Sequence, residues 1–457
     1  MRGVGQDHVL HFWPRLSKGQ RSELLGDLEG LPFEELPALA KLATSPPSGT
    51  LPDAILPAGM TGHSAISGDE LERGRSLISS GRLAAFTVAG GQGTRLGFEG
   101  PKGAFAISPV RGKTLFQLFA EQIQATQSRY GCRIPWYIMT SPSNDGATRQ
   151  FFREHSNFSL QDEDVLFFQQ GVVPAFDRDG KILLDQPHRL SLAPDGHGGS
   201  LLALARSGML KDMGRRGIEI ISYFQVDNPL VICIDPRMIG LHDARRSEMS
   251  SKAVRKADDM ERVGNFVVSR GKFSVIEYSD LPESLAREKN QDGSRKFDAA
   301  NIAIHVLSRQ FVERLTADAG RFALPWHRAE KKVPFVDLKS GQRIEPASPN
   351  GIKLEAFIFD ALPLAANPVL METSRAEEFS PVKNATGVDS VETARRDMTR
   401  RAGHWLEAAG WNVPRRPDGE IDGDVEISPL IGLDCADFAA HGPPPRPMTP
   451  GEALYLE

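Results

Sequence analysis

The segment with the clearest chemical potential is a glycine-rich run at residues 88–97 (VAGGQGTRLG). Its glycines let the backbone approach a ligand closely, and successive backbone N–H groups can surround phosphate oxygens. Arg95 adds a forked cationic side chain within the run, and Lys102 follows it in a PKG sequence. A glycine run followed by cations suits a polyphosphate ligand. The competing interpretation is a bare turn between a strand and a helix.

Two better-known glycine motifs do not fit this part of the chain. A dinucleotide fingerprint, G-x-G-x-x-G, starting at Gly91 would need glycine in place of Leu96, and no acidic ribose partner is evident. Residues 112–114 (GKT) imitate the end of a P-loop, but Ile107 stands where that motif has glycine. An NAD-dependent dehydrogenase and a P-loop enzyme are therefore weakly supported.

A second glycine loop at residues 194–199 (PDGHGG) precedes a predicted helix. The first N–H groups of a helix have no partner within the helix, so a ligand there can accept hydrogen bonds from them. The competing interpretation is a long hairpin turn. Two glycine loops in one α/β domain favour a nucleotide-binding cleft.

Asp227 stands at the end of a predicted strand, residues 218–226, in the sequence VDNP. Open α/β sheets bind ligands in the crevice at the carboxyl ends of their strands, and a carboxylate there suits a hard cation such as Mg²⁺. The alternative is an Asx turn before Pro229.

Several other polar residues carry weaker signals. Glu277, Tyr278 and Asn301 stand at predicted strand edges and offer groups that suit sugar hydroxyls, although each alone is more often a surface residue. Lys383, in FSPVKN, is equally uninformative by itself. The histidines lack H-E-x-x-H or other metal-ligand spacing, and no G-x-S-x-G motif occurs. The sequence gives no support for a zinc site or a hydrolytic triad.

The composition is that of a globular protein, with 40% hydrophobic and 25% charged residues among 457. A formal net charge of −5 argues against a dedicated nucleic-acid-binding protein, which usually carries a basic excess. Three widely spaced cysteines argue against a disulfide framework and predict a reducing, cytoplasmic location. We see no signal peptide and no apolar run of roughly 18 residues, so no membrane attachment is predicted.

The elements that must position these groups alternate between helices and strands. A capping box from Ser67 to Glu70 predicts a helix over residues 68–80, and the apolar run 84–89 predicts a buried strand that stops at the glycines. Further elements are predicted as helix 114–126, strand 136–140, helix 146–155, strand 165–169, helix 199–213 and strand 218–226. The pattern predicts an α/β fold with a mostly parallel central sheet and helices on both faces.

Three consecutive domains are predicted along the chain. Residues 1–60 form a helical N-terminal region, 61–400 the catalytic domain, and 401–457 a small C-terminal domain. Its Pro-rich tail, after about residue 440, is expected to be extended or disordered.

Taken in order, these motifs resemble the eukaryotic-type UDP-N-acetylhexosamine (UDP-N-acetylglucosamine) pyrophosphorylases, within the wider UDP-sugar pyrophosphorylase family. The resemblance runs from about residue 8 to 430, through AGGQGTRLG, PKG, FFQQG (167–171), PDG and GG (194–199), VDN (226–228), EYS (277–279), NIA (301–303), PNGIK (349–353) and FSPVKN (379–384). Gln92, which is usually Leu in the related UDP-glucose enzymes, and Glu277–Tyr278 favour the N-acetylhexosamine branch. The resemblance implies a nucleotide-diphospho-sugar transferase (Rossmann-like) fold.

The resemblance also implies a role for individual residues. The implied nucleotide contacts are Val88, Ala89, Gly90, Gly91, Gly93, Thr94, Gln170 and Gly196. The implied contacts to the sugar and its phosphate are His197, Gly264, Glu277, Tyr278, Asn301 and Lys353. Arg95, Lys102 and Lys383 would neutralise the charge that develops in catalysis, and Asp227 would hold Mg²⁺ or Mn²⁺.

The implied reaction is a uridylyl transfer, in which UTP and an N-acetylhexosamine 1-phosphate give a UDP-sugar and pyrophosphate. The attacking phosphate is already anionic, so catalysis reduces to positioning and charge neutralisation. His197 stands where this family typically has Asn, which leaves the sugar open. A UTP:glucose-1-phosphate or broad-specificity uridylyltransferase is the alternative enzyme. A catalytically silent UDP-sugar sensor would be expected to lack Lys102, Asp227 or Lys383. We expect a monomer or weak homo-oligomer with no nucleic-acid or membrane partner.

Overall fold

A computed structural model describes residues 1–45, 55–317 and 324–457. Its α-helices are α1 (Lys18–Glu29), α2 (Leu36–Thr44), α3 (Gly68–Ser79), α4 (Leu115–Tyr130), α5 (Asp145–Glu154), α6 (Gly199–Arg206), α7 (Met209–Arg215), α8 (Pro236–Ala244), α9 (Glu283–Ala286), α10 (Arg309–Leu315), α11 (Arg375–Glu378), α12 (Val391–Ala408) and α13 (Cys435–His441). Its strands are β1 (Ile55–Pro57), β2 (Leu83–Val88), β3 (Trp136–Thr140), β4 (Val165–Gln169), β5 (Val172–Pro174), β6 (Phe176–Asp177), β7 (Leu184–Gln186), β8 (Arg189–Leu190), β9 (Leu192–Pro194), β10 (Ile220–Gln225), β11 (Met249–Arg255), β12 (Asn265–Ser269), β13 (Lys272–Ile276), β14 (Ala299–Ser308), β15 (Trp326–Lys331), β16 (Phe335–Val336), β17 (Arg343–Ile344), β18 (Gly351–Ala356), β19 (Val369–Glu372), β20 (Gly423–Ile427) and β21 (Glu452–Leu456).

The chain divides into two compact units that alternate along the sequence. The smaller unit takes residues 1–52, 170–206 and 313–361, and the larger unit takes 53–169, 207–312 and 362–457. The three consecutive domains anticipated from the sequence stay a prediction.

The larger unit is built on a ten-stranded sheet whose centre is parallel. Strand β2 pairs in parallel with β10 on one side and with β3 on the other, and β3 pairs in parallel with β4. Strand β14 joins β10 in the antiparallel sense and leads to β11 and β12. Every residue of β2 from Leu83 to Thr87 is buried, so both faces of the central strand are covered. The predicted α/β fold class is confirmed.

Most of the local predictions are also confirmed. The Ser67 hydroxyl accepts from the Glu70 N–H and the Glu70 carboxylate accepts from the Ser67 N–H, so the capping box opens α3. The predicted strands correspond to β2, β3, β4 and β10, and two predicted helices correspond to α4 and α5. The single helix predicted over residues 199–213 is wrong. Gly208 has a φ of +80°, a left-handed conformation that separates α6 from α7.

The smaller unit has its own hydrophobic core. Helices α1 and α2 pack here, and Leu24, Leu28, Leu36 and Leu39 share the core with Leu354 of β18. Strand β18 pairs with β15 and β6 in a three-stranded sheet. Helices α1 and α2 confirm the helical character predicted for the N-terminal region.

The C-terminal tail, which was expected to be extended or disordered, ends in an extended and paired strand. Strand β21 pairs in parallel with β20, from Gly423 with Glu452 to Ile427 with Leu456. Leu454 is buried there because the two strands pack on α12 within a separate cluster of apolar side chains. In residues 1–45, 55–317 and 324–457, no helix is both long enough and apolar enough to cross a bilayer.

Candidate functional site

The first glycine loop leaves the carboxyl end of β2, where neighbouring parallel strands also end. The Ala89 N–H donates to the Met139 carbonyl at 2.7 Å, and the Val226 N–H donates to the Val88 carbonyl at 3.1 Å. These bonds extend the pairing of β2 with β3 and β10 to the first residue of the loop. The loop therefore starts from a rigid, three-stranded edge.

Hydrogen bonds fold the loop back on itself, so it is more than a bare turn. The Lys102 N–H donates to the Gly91 carbonyl at 3.1 Å, and the Gly93 N–H donates to the Gly100 carbonyl at 2.8 Å. The Asn144 amide, at the start of α5, donates to the Gly91 carbonyl at 3.2 Å. These bonds tie the loop to its own far end and to the start of α5.

The loop presents N–H donors and a cation to a ligand. Within the described part of the chain, the N–H groups of Gly90, Gly91 and Thr94 have no hydrogen-bond acceptor. Gly91, Thr94 and Arg95 are exposed. A short row of free N–H groups beside a guanidinium is suited to phosphate oxygens.

Lys102 and Asp227 lie together in the larger unit. Lys102 Nζ is 3.7 Å from Asp227 Oδ2, and the two side chains are 15% and 18% exposed. The lysine also passes beside the loop, since a Cβ added to Gly91 would lie 3.9 Å from Lys102 Cε. A cation and a carboxylate thus stand next to the N–H donors.

Asn228 connects Asp227 to the FSPVKN motif, a connection that sequence reasoning missed. Its Nδ2 donates to the Glu378 carbonyl at 2.6 Å, and its Oδ1 accepts from Ser380 N–H at 3.1 Å. The Asp227 carbonyl in turn accepts from the Val382 N–H at 2.7 Å. The Asx turn considered at Asp227 forms instead at Asn228, because the Asn228 Oδ1 also accepts from the Leu230 N–H at 3.3 Å.

Lys383 follows this connection directly. Its Nζ is 3.2 Å from Asp389 Oδ2, and its N–H donates to the Asp389 carbonyl at 2.7 Å. The side chain is partly exposed.

A buried ion cluster supports the same segment. Lys252 Nζ is 2.6 Å from both Asp235 Oδ2 and Glu378 Oε2, and its side chain is fully buried. Burial acts to lower the pKa of Lys252, but the two carboxylates raise it overall. The lysine therefore stays charged and anchors Glu378, whose carbonyl holds Asn228.

The residues expected to contact a sugar gather around Gly264. The Asn301 N–H donates to the Gly264 carbonyl at 2.8 Å. A Cβ added to Gly264 would lie 3.3 Å from Glu277 Oε1 and 3.7 Å from Asn301 Cβ. Tyr278 follows Glu277 and is exposed. Four predicted residues thus lie close together although 37 positions separate Gly264 from Asn301.

The second glycine loop, in the smaller unit, differs from the expectation. The Gly198 N–H donates to the Ala356 carbonyl at 2.8 Å, and the Gly199 N–H donates to the Gly196 carbonyl at 3.1 Å. These two donors at the start of α6 are therefore already used, so the Gly198 and Gly199 N–H groups are not the unpaired donors that the sequence predicted for a ligand. The Gly196 carbonyl also accepts from Gln170 Nε2 at 3.0 Å, so two predicted nucleotide contacts touch each other.

His197 is a neutral, stacked side chain. Its ring lies 5.3 Å from the Phe357 ring at an interplanar angle of 27°, and its Nδ1 accepts from the Ile358 N–H at 3.2 Å. Burial, followed by the charge of His327, lowers the pKa of His197 to about 4. Lys353 lies on β18, opposite Ala329 of β15.

Asp195 is a second residue that sequence reasoning missed. Its side chain is buried, and burial raises its pKa to about 7. The sequence signal that could have pointed to Asp195 was an acidic residue within the PDG stretch of the second glycine loop.

The expected metal site consists of Asp227. Across the described residues, His, Cys, Asp and Glu side chains do not gather in threes as metal ligands. Mg²⁺ is usually held by one or two carboxylates, with water and substrate phosphates completing its shell. One carboxylate beside a phosphate-type loop therefore fits a cation that arrives with a nucleotide.

The larger unit thus defines a class of protein. The parallel centre of its sheet carries a donor-rich glycine loop, a lysine and a carboxylate where the strands end. This is the arrangement of a nucleotide-binding α/β protein.

Comparisons with known proteins place the chain within that class. Residues 59–399 match the family model described as UTP–glucose-1-phosphate uridylyltransferase. The chain is 37% identical to human UDP-N-acetylhexosamine pyrophosphorylase-like protein 1, over 94% of this chain and 91% of that one. It is 38% identical to the UDP-N-acetylglucosamine pyrophosphorylase of Saccharomyces cerevisiae, over 93% and 92%.

A solved structure supports the same assignment. The uridine diphosphate N-acetylglucosamine pyrophosphorylase of Trypanosoma brucei, solved with an inhibitor, superposes with a TM-score of 0.81 and 27% identity, covering 100% of this chain and 96% of that one. The chain therefore belongs to the UTP–glucose-1-phosphate uridylyltransferase family. It is an enzyme, a UTP:sugar-1-phosphate uridylyltransferase.

Proposed function

We propose that the protein transfers the uridylyl group of UTP to N-acetylglucosamine 1-phosphate, or another N-acetylhexosamine 1-phosphate, and releases pyrophosphate. The names of the relatives support this substrate. The observation that carries the chemistry is the Lys102–Asp227 pair beside the donor-rich loop that ends β2.

The proposed reaction is one in-line displacement. A phosphate oxygen of the sugar 1-phosphate forms a bond to the α-phosphorus of UTP, and the bond from that phosphorus to the bridging oxygen of the β-phosphate breaks. Negative charge builds on the departing pyrophosphate, so Lys102, Arg95 and the loop N–H groups stabilise the transition state. Lys383 neutralises the incoming sugar phosphate. No side chain has to remove a proton, because the nucleophile is already an anion.

Asp227 would hold Mg²⁺ or Mn²⁺, which supplies further neutralisation at the phosphate oxygens. The Asp227 carboxylate lies 3.7 Å from the Lys102 ammonium group. The same carboxylate would therefore interact with both the lysine and the metal ion.

The remaining contacts divide by chemistry. In the larger unit, Val88, Ala89 and Gly93 are proposed contacts to the nucleotide. In the smaller unit, the same role is proposed for Gln170 and Gly196. Gly264, Glu277, Tyr278 and Asn301, in the larger unit, are proposed contacts to the sugar hydroxyls and acyl group. Lys353 and His197, in the smaller unit, are proposed contacts to the sugar phosphate.

We further propose that the enzyme acts in the cytoplasm, as a monomer or weak homo-oligomer. Cys132, Cys233 and Cys435 are free thiols, which suits a reducing compartment.

The test is pyrophosphate release from the purified protein with UTP and Mg²⁺. N-acetylglucosamine 1-phosphate, N-acetylgalactosamine 1-phosphate and glucose 1-phosphate are compared in parallel. Preference for an N-acetylated sugar is the expected result, and it would show that His197 is compatible with that sugar. Preference for glucose 1-phosphate would overturn the substrate, and silence with all three would overturn the proposed reaction in favour of a UDP-sugar sensor.

A further inference from the structure

Asp389, in the larger unit, holds Lys383 at both ends of the lysine residue. Lys383 Nζ donates to Asp389 Oδ2 at 3.2 Å, and the Lys383 N–H donates to the Asp389 carbonyl at 2.7 Å. The same carbonyl accepts from the Asn384 N–H at 3.0 Å. A lysine side chain has a flexible four-carbon stem, and that of Lys383 is 39% exposed, so its ammonium group would otherwise sample many positions. Asp389 therefore restricts both the main chain and the charged end of Lys383.

Asp389 itself has an unusual backbone conformation. Its φ is +53°, in the left-handed region that residues other than glycine rarely adopt. Asn384 Nδ2 donates to the Val388 carbonyl at 2.8 Å and closes the loop that precedes Asp389. Directly after Asp389, the Ser390 hydroxyl accepts from the Thr393 N–H and caps α12. Contacts on both sides thus maintain a strained residue, and such residues occur preferentially at functional sites.

Helix α12, which begins two residues after Asp389, is attached to the segments around both proposed catalytic lysines. Arg395 Nε and Nη2 donate to the Ile107 and Ala106 carbonyls, each at 3.1 Å, shortly after the PKG sequence. Ser380 Oγ, in the FSPVKN motif, donates to Asp397 Oδ2 at 2.8 Å. The Asp389 carboxylate therefore stands at the start of a helix that is fixed to the candidate site.

We propose that Asp389 is a positioning residue for Lys383, and that it holds the ammonium group where the phosphate of the sugar 1-phosphate arrives. An ammonium group has three N–H donors. Among the described residues, Asp389 is the hydrogen-bond partner of Lys383 Nζ, so two donors remain for phosphate oxygens. The inference rests on the proposed function, because that function assigns Lys383 to the incoming sugar phosphate.

Two substitutions separate the carboxylate of Asp389 from its backbone. Asp389→Gly removes the carboxylate but keeps the carbonyl with its two hydrogen bonds, and glycine adopts a positive φ without strain. Asp389→Asn keeps the shape and tolerates the left-handed conformation, but it carries no charge. Arg270→Gly is the matched control, because Arg270 is exposed, has a φ of +50° and lies in the turn between β12 and β13.

The test combines steady-state kinetics with UTP binding and thermal unfolding. Kinetics use UTP, Mg²⁺ and the sugar 1-phosphate that the wild-type enzyme prefers among the three compared above. We expect both Asp389 variants to lose on the order of tenfold in kcat/KM for the sugar 1-phosphate, the effect of one hydrogen bond to a charged group. The dissociation constant of UTP, measured by calorimetry, should stay at the wild-type value. Asp389→Gly should change the midpoint of unfolding no more than Arg270→Gly, which should keep wild-type kinetics.

Lys383→Ala decides whether Asp389 acts through the lysine. In a Lys383→Ala background, Asp389→Asn should cause no further loss of kcat/KM, because the interaction is already gone. A second tenfold loss in the double variant would overturn the inference, as would wild-type kcat/KM in both Asp389 variants or an equal weakening of UTP binding. If one Asp389 variant does not fold, the other decides in the same cycle. Wild-type turnover in Lys383→Ala would overturn the proposed role of that lysine together with the inference. A loss in Lys383→Ala without a loss in the Asp389 variants would overturn the inference alone.

Discussion

Asn228 offers the sharpest test of how the candidate site is held together. We expect Asn228→Ala to lower both stability and turnover, because this buried amide joins the strand end that carries Asp227 to the segment that carries Lys383. The substitution removes the bond to the Glu378 carbonyl at 2.6 Å and those from the Ser380 and Leu230 N–H groups at 3.1 and 3.3 Å.

The magnitude follows from the groups left behind. A buried backbone group that loses its partner costs about 1–3 kcal/mol, and the Glu378 carbonyl and Ser380 N–H both lose theirs. The free energy of unfolding should therefore fall by about 3 kcal/mol. Turnover should fall on the order of 100-fold, because a displacement of about 1 Å at reacting groups has that effect.

Denaturant unfolding and pyrophosphate release measure the two quantities on the same preparations. Asn228→Asp should also lose stability, because its carboxylate still accepts from the Ser380 N–H but sets a second acceptor against the Glu378 carbonyl. Asn290→Ala is the control, because that amide is exposed and its bonds among the described residues are to Ser294 and Arg295 in its own loop. A folded Asn228→Ala variant with turnover within about twofold of wild type would refute the positioning role. A stability loss no larger than that of the control would refute the burial argument.

Three further changes test other parts of the molecule. Lys102→Ala should lower kcat/KM on the order of 10²–10³-fold in the pyrophosphate assay. A thermal melt should show a folded protein with a loss of about 1–3 kcal/mol, because the mostly buried Asp227 carboxylate loses its partner. His197→Asn removes the ring stacked on Phe357, so KM for the sugar 1-phosphate should change more than KM for UTP in steady-state kinetics. Deleting residues 452–457 removes the β21 ladder and buried Leu454, so denaturant unfolding should show a loss of about 3 kcal/mol.

Each of these expectations has a contrary outcome. Wild-type turnover in Lys102→Ala would remove that lysine from the mechanism. The absence of a melting transition in this variant would show that the lysine is needed for folding. Equal changes in both KM values would show that His197 does not act on the sugar side. Unchanged stability after the deletion would mean that β21 adds nothing to the fold.

The sequence by itself determined the order of the elements and the main chemistry. Residues 84–89 read as a buried strand because they are apolar without alternation, which a strand covered on both faces requires. The glycines that follow, with Arg95 and Lys102, pointed to phosphate binding, and the ordered motifs identified the family. Each of these signals lies within a short stretch of sequence or in the order of such stretches, so it can be recognised without knowledge of the fold.

Only the tertiary structure decided which residues stand together. Asn228 and Ser380 are about 150 residues apart, and the buried Lys252 meets Glu378 across a similar distance. Pairings of this kind arise when strands close a sheet and bury polar groups that must then find partners, and no spacing in the sequence encodes them. The same reason explains Asp195, whose pKa is raised by burial. It also explains β21, a paired strand in a tail that was expected to be extended or disordered.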